Sequence, residues 1–245
     1  MKKILLGFAL SVVVLQGCKK DDDEVVDETV VLTVEEQKTY DDAAAIDFMT
    51  KNYLNSKGVI TAFDSTITTD DNEKKLIEYE YKTLPSGVIY IIRPNAQPTP
   101  EKEIGSTDVI NIMQIVKSYV STKVDGKMVF SSESVFSNSV ATGNLLKDPA
   151  YFYVKPSVVK SYNDTNGTTY DKTFFEIEGL QEALKYFKSF DLPESADYNM
   201  QGIIIVPSRA AFARDNNIYG ASYNNRSFVF NFQVYNTRAR LSTEY

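Results

Sequence analysis

Histidine and tryptophan are absent from this chain of 245 residues, and cysteine occurs once. Without histidine there is no Ser-His-Asp or Cys-His catalysis and no histidine-ligated metal. A lone cysteine forms neither an internal disulfide nor a thiolate cluster. Clustered basic residues are lacking too. The formal charge is −7, and no run of Lys and Arg offers itself to a phosphate backbone, so nucleic acid is not expected as a partner. The polar loop Thr68–Asn72 holds Asp and Asn without the Gly and bidentate Glu of a calcium loop, so no metal is expected there. What is present is apolar material. Hydrophobic residues make up 43% of the chain and aromatics 12%, enough for one well-buried core with room for an appendage.

The N-terminus reads as an address. Lys2 and Lys3 precede an apolar run from Ile4 to Leu15, which has the flanks of a signal peptide and is too short to span a bilayer as a helix. Leu15-Gln16-Gly17-Cys18 follows and resembles the bacterial lipobox, in which the cysteine becomes the acylated N-terminus. Residues 1–17 are therefore expected to be a lipoprotein signal peptide and Cys18 the lipid carrier. Each buried CH₂ of an acyl chain contributes about 0.8 kcal/mol, and stable anchoring takes more than one chain. Lys19-Lys20-Asp21-Asp22-Asp23-Glu24 resembles the Lys-plus-acidic signal that sends lipoproteins of the Bacteroidota to the outer leaflet of the outer membrane. The expected location is the outer membrane, lipid-anchored at the cell surface, with the periplasmic face as alternative. Charge density makes 18–38 a flexible acidic tether.

Residues 39–82 are expected to form a helical extension. Its helix runs from about Asp41 to Leu54 with Thr39 as N-cap, and Ile46, Met49 and Tyr53 form a packing stripe. Downstream, Pro85-Ser86-Gly87 is a turn feeding the apolar strand Val88–Ile92. Val109 to Ser132 reads as two strands joined by the hairpin turn Asp125-Gly126. Ile203–Val206 is a short, β-branched, buried strand stopped by Pro207-Ser208. Phe228, Phe230 and Phe232 alternate with Val229, Asn231 and Gln233, which gives a strand with one aromatic face.

These segments, in this order, resemble the FKBP-type peptidyl-prolyl isomerases. Thr83–Tyr90 matches the family's thr-x-ser-gly-leu-x-tyr opening. Tyr119 stands at the family's spacing from Asp125-Gly126 and Ser131-Ser132. Phe174–Leu184 resembles its Val-Ile-x-Gly-Trp-x-Glu-Ala-Leu, with Ile177 and Gly179 kept. Ala211-Phe212-Ala213 and Phe228–Val234 resemble its Ala-Tyr-Gly and its last strand. The resemblance implies an α+β fold, an FKBP-like antiparallel sheet curled around one helix. The domain is expected over 83–240, with an insert at about 133–173 that carries a second turn signal at Asn166-Gly167 and holds at least one extra hairpin, at no assigned position.

The resemblance also implies a site. Isomerisation twists an X-Pro amide through a barrier of about 18–20 kcal/mol. An apolar cleft that binds the twisted amide suffices, with no metal and no cofactor. Carried over by position, the substrate-binding residues are Tyr119, Ile177, Leu180, Phe212 and Phe230, with Val129 or Phe130 beside them. Phe212 is expected at the rim, while Tyr119 and Phe230 also read as core residues of their strands, Phe230 equally well. Three departures weaken the cleft. Leu180 stands where the family has Trp, Phe212 lacks the Tyr hydroxyl, and no carboxylate remains at 129–131. A gapless alignment puts Val129 and Phe130 on the family's Phe-Asp pair, and a one-residue insertion puts Phe130 and Ser131 there. The expected function is binding of proline-containing polypeptide with weak or no isomerase activity. The alternatives are a non-catalytic accessory subunit of an outer-membrane protein complex and a surface glycan-binding lipoprotein.

Overall fold

The computed structural model describes residues 32–96 and 102–245. The expected signal peptide, Cys18 and most of the expected tether lie outside the described residues. The described chain is α+β. Its strands in chain order are β1 (Asn52–Leu54), β2 (Ile60–Ala62), β3 (Tyr81–Thr83), β4 (Ile89–Ile92), β5 (Lys102–Glu103), β6 (Val109–Val124), β7 (Lys127–Asn138), β8 (Leu146–Lys147), β9 (Lys188–Ser189), β10 (Gly202–Val206) and β11 (Arg226–Arg238). Its α-helices are α1 (Val34–Lys51), α2 (Ser139–Thr142), α3 (Pro156–Asn166) and α4 (Glu178–Leu184).

One antiparallel sheet dominates. Its order is β3-β4-β10-β11-β6-β7, with β8 also paired to β6. The central pairing of β11 with β6 sets Phe230 opposite Val116 and Ser227 opposite Tyr119. Because side chains alternate along a strand, residues 228, 230 and 232 share one face and 227, 229 and 231 the other. Both faces are covered. On the first, Ile204, Val206, Phe228, Phe230 and Phe232 meet Leu180, Leu184 and Phe187 from α4 and the turn after it. On the second, Ile203, Ile205, Val229 and Tyr119 meet Ala45 and Met49 of α1. The single helix expected against the sheet is therefore half of the arrangement, and α1 is the other half.

The helix α1 begins earlier than the sequence suggests. Thr33, not Thr39, is the N-cap. Its hydroxyl accepts from the Glu36 N–H at 3.2 Å, and the Thr33 N–H donates to Glu36 Oε2 at 2.8 Å. That reciprocal box meets two of the four unpaired donors at a helix start. The same bonds from Thr33 hold the Glu36 carboxyl below its usual range. The helix ends at Lys51, so Tyr53 belongs to β1, and Ile46 points out at 39% exposure.

Asp41 fastens α1 to the sheet. It is 1% exposed. One carboxylate oxygen accepts from Ser121 Oγ at 2.6 Å and Gln37 Nε2 at 2.8 Å. The other accepts from the Ser208 N–H at 2.9 Å and Ser208 Oγ at 2.5 Å. Beside it Asp42 pairs with Arg209 at 2.6 Å, and Arg209 also donates to the Ser86 carbonyl. A carboxylate this deep is tolerated because both oxygens are fully bonded.

On the opposite face α4 comes unusually close to β10. A Cβ on Gly179 would stand 2.6 Å from Val206 Cγ1, 2.8 Å from Val88 Cγ2 and 2.9 Å from the Ala210 carbonyl oxygen. The residue retained from the family pattern is thus explained by packing. The apolar strand that the sequence suggests from Phe174 into Gly179 does not form: Lys172–Phe174 is a short 3₁₀ turn and α4 begins at Glu178. The turn signal Asn166-Gly167 joins no pair of strands. Gly167, at φ 63°, caps the C-terminus of α3 and donates to the Asn163 carbonyl. The Asn-Gly pair serves a helix end as readily as a β-turn, because both need the left-handed backbone.

Candidate functional site

The sheet divides the residues that the sequence assigned to one cleft. Ile177, Leu180, Phe212 and Phe230 lie on the α4 face and are buried. Tyr119 and Phe130 belong to the α1 face, packed with Phe48, Val229 and Met49. Val129 sits on β7 next to Phe130, opposite Thr122 of β6. No single cleft gathers all seven.

On the α4 face the chain's own aromatics fill the space between sheet and helix. Phe136 from β7 sits edge-on to Tyr151, Tyr219, Tyr223 and Phe228 with ring centroids 4.9 to 5.4 Å apart. Phe212 stands 5.5 Å from Tyr219 and 5.9 Å from Phe228 and is 3% exposed. It is a core residue and not the rim residue expected from the Pro-Ser turn. The turn itself puts it there. Ala213, at φ 47°, bonds back to the Ser208 carbonyl and reverses the chain, which swings the Phe212 ring inward. Tyr151 and Phe152 come from the insert, so the insert covers this face. Gln114 Nε2 donates to the Tyr151 hydroxyl, and burial pushes the Tyr151 phenol far up.

The open volume lies on the α1 face. A groove of about 790 Å³ runs between α1, β2 and the β6–β7 hairpin. Phe48, Tyr119 and Phe130 form one of its walls. Tyr119 and Phe130 stack with ring centroids 5.1 Å apart and planes 14° apart, and Phe48 is tilted against each at 5.7 Å. The Tyr119 hydroxyl donates to Glu133 Oε2 at 3.1 Å, and Lys117 Nζ closes on Glu133 Oε1 at 2.6 Å. Burial first, then the Glu133 charge, pushes the Tyr119 phenol well above its ordinary value, so it stays a donor. Asp47 and Lys51 pair across the α1 side of the rim at 2.7 Å. The floor is held by Asn231. Its amide donates to the Gly58 carbonyl at 3.0 Å and its oxygen accepts from the Ile60 N–H at 3.1 Å, which ties the β1–β2 hairpin to the sheet.

The hairpin wall is also an edge. β7 is the last strand of the sheet, and its outer side pairs with no other strand among the described residues. Its pairing with β6 shifts register twice, and Ser132 there takes φ 49°. Such bulges bend an edge strand and keep it from unspecific pairing.

Sequence reading assigned Tyr119, Val129 and Phe130 to one cleft with Ile177, Leu180, Phe212 and Phe230, and of the seven these three line this groove. It missed Phe48 and the Lys117–Glu133 pair as groove residues. Phe48 was legible as a flank of the α1 stripe, but its meeting with β7 depends on how the helix lies across the sheet. No group of three or more Cys, Asp and Glu side chains suited to a metal ion occurs among the described residues. No helix among them is long and apolar enough to cross a membrane.

No protein-family model and no curated protein matches the sequence. Among solved structures the chain has a partial likeness to the crystal structure of FkpA from Escherichia coli, at 18% identity and a TM-score of 0.34. The match covers 65% of this chain and 52% of that one, so the chain spans about half the length of this neighbour.

Proposed function

We propose that this protein is a lipid-anchored, FKBP-like binding module that holds extended, proline-containing polypeptide in the groove beneath α1 and does not isomerise it efficiently. The observation that carries the reading is the closure of one face and the opening of the other. Ile177, Leu180, Phe212 and Phe230 are 0–3% exposed, so a peptide reaches none of them without unfolding the core. The groove of about 790 Å³ offers the stacked pair Tyr119–Phe130 with Phe48 beside it. Proline-rich segments dock into aromatic-lined grooves because the extended helix they form is already ordered and its rings lie flat on aromatic surfaces. The rim carries both signs of charge, Asp47 with Lys51 and Lys117 with Glu133, which suits a polypeptide more than a uniformly charged ligand.

The FKBP-like part of the reading rests on the order of the sequence motifs, on the antiparallel sheet and on α4 packed against it. The anchoring rests on Leu15–Cys18 and the Lys19–Glu24 tract, which support lipidation at Cys18 and delivery to the outer membrane. An adhering module of this kind fits an accessory subunit of an outer-membrane complex as well as a solitary peptide binder.

The test uses a fluorescent proline-rich peptide and the soluble chain from residue 32. Saturable binding that Phe130→Ala and Phe48→Ala each weaken several-fold supports the groove. Binding unaffected by both variants refutes it. A protease-free assay of cis–trans exchange in the same peptide addresses catalysis, and acceleration at the level of an ordinary isomerase would overturn the non-catalytic reading.

A further inference from the structure

The insert contains a second cavity. It lies between α3, the returning segment 168–172 and Tyr153-Val154, is open to solvent, and has a volume of about 710 Å³. Tyr153, Val154, Pro156 and Val159 give it apolar walls, and Glu176 lies at its base. Glu176 is 1% exposed. Its Oε1 accepts from the Val154 N–H at 2.8 Å, while its Oε2 is buried without a hydrogen-bond partner. The cation closest to that oxygen, Lys172 Nζ, stands 3.5 Å away at the end of a side chain 58% exposed. That is an ion pair at long range and not a hydrogen bond.

Several other polar groups on the pocket wall are engaged. Asn163 donates to the Tyr170 carbonyl and accepts from Thr168 and the Tyr170 N–H. Asp171 caps the following turn through Thr173, and Lys160 pairs with Asp164. Among the described residues of the wall, the one buried acceptor without a hydrogen bond is Glu176 Oε2. Buried carboxylates are ordinarily fully bonded, and an exception asks for an explanation. Here it sits at the base of an open pocket with one apolar side and one polar side and with room for a small molecule, and concave sites with a few placed polar groups are where ligands bind.

We propose that this cavity binds a small organic ammonium, an alkylamine or amine-bearing side chain, with its N⁺–H donors on Glu176 and its apolar body along Tyr153, Val154 and Val159. An anion is repelled by the Glu176 carboxylate once Lys172 has swung away. A neutral alcohol gives only a weaker hydrogen bond, since charge-assisted bonds are about twice as strong as neutral ones. Lys172 occupies the approach with the same chemistry as the ligand. It acts as an internal competitor that swings to water when an ammonium enters.

The test is calorimetric titration of the full chain with n-butylammonium chloride and, separately, with 1-butanol. Saturable binding of the ammonium, at least tenfold tighter than the alcohol, is expected for loss of one charge-assisted contact. Lys172→Ala removes the competitor and tightens ammonium binding. Val159→Trp fills the cavity and abolishes it. Glu176→Gln weakens ammonium binding and brings it to the level of the alcohol. The idea is overturned if neither the native chain nor Lys172→Ala binds n-butylammonium at ~10 mM, a weak fragment affinity. It is equally overturned if Val159→Trp binds as the native chain does. Should Glu176→Gln fail to fold, the Lys172→Ala and Val159→Trp pair decides. Peptide binding at the α1 groove is a separate readout and is expected to be unchanged by Lys172→Ala.

Discussion

Replacing Phe212 by Ala distinguishes a closed core from an open binding cleft on the α4 face. The ring is 3% exposed and lies against Tyr219 and Phe228, with the Phe228 contact close to edge-on at 80°. Truncation loses the transfer free energy of the ring and leaves a cavity, together about 3–5 kcal/mol for a buried Phe. The edge-on contact adds about 0.5–1.5 kcal/mol beyond area, already within that range. With a urea slope of about 2 kcal/mol per molar, the unfolding midpoint falls by about 2 M. Far-ultraviolet circular dichroism follows the transition, since the chain has no Trp. Peptide binding measured well below the midpoint should be retained, because the groove is on the other face. Phe130→Ala is the complement. Its ring is half-buried, so it should cost about 1–2 kcal/mol of stability, below the full-burial value, and weaken the peptide. A Phe212→Ala chain with nearly native stability and no peptide binding would show that the α4 face is the working site and that the assignment of faces is wrong.

Asp41→Ala should destabilise the fold by about 3 kcal/mol, because the Ser208 N–H and two serine hydroxyls lose their acceptor, and an orphaned buried group costs about 1–3 kcal/mol; a urea series checks it, and a loss under about 1 kcal/mol would remove Asp41 as the fastening of α1. Stability should also fall in alkali. Burial raises the phenols of Tyr119, Tyr151 and Tyr219 in the folded state, so their contribution is complete below the unfolded tyrosine value near pH 10 and is lost as pH rises above it. Thermal melts between neutral pH and strong alkali read this out, and a flat profile beyond pH 10 would contradict it. Cys18→Ser should abolish acyl labelling and release the protein from membranes or leave it unprocessed; unchanged fractionation would remove the anchor.

Much of the strand content was legible from the chain alone. The β-branched run Ile203–Val206 and the alternating phenylalanines at 228, 230 and 232 became neighbouring strands β10 and β11, because a period of two with apolar residues has few other uses. Asp125-Gly126 became the hairpin turn, as its positive backbone angles demand. The cap of α1 was present in the sequence as Thr33 followed by Glu36 but was hidden by the acidic stretch before it. Absence of histidine and scarcity of cysteine excluded whole classes of chemistry before any fold was known. Tertiary structure alone decided which face each aromatic serves. Tyr119 and Phe230 both lie in strands at positions that suit a pocket, yet alternation along paired strands sends them to opposite sides of the sheet. The placement of the insert was equally unreadable. Tyr151 and Phe152 sit far in sequence from the helix they help to cover, and their burial depends on contacts across that distance. Local pattern therefore determined the elements, and the packing of α1 and the insert on opposite faces determined which face is closed and which carries the groove.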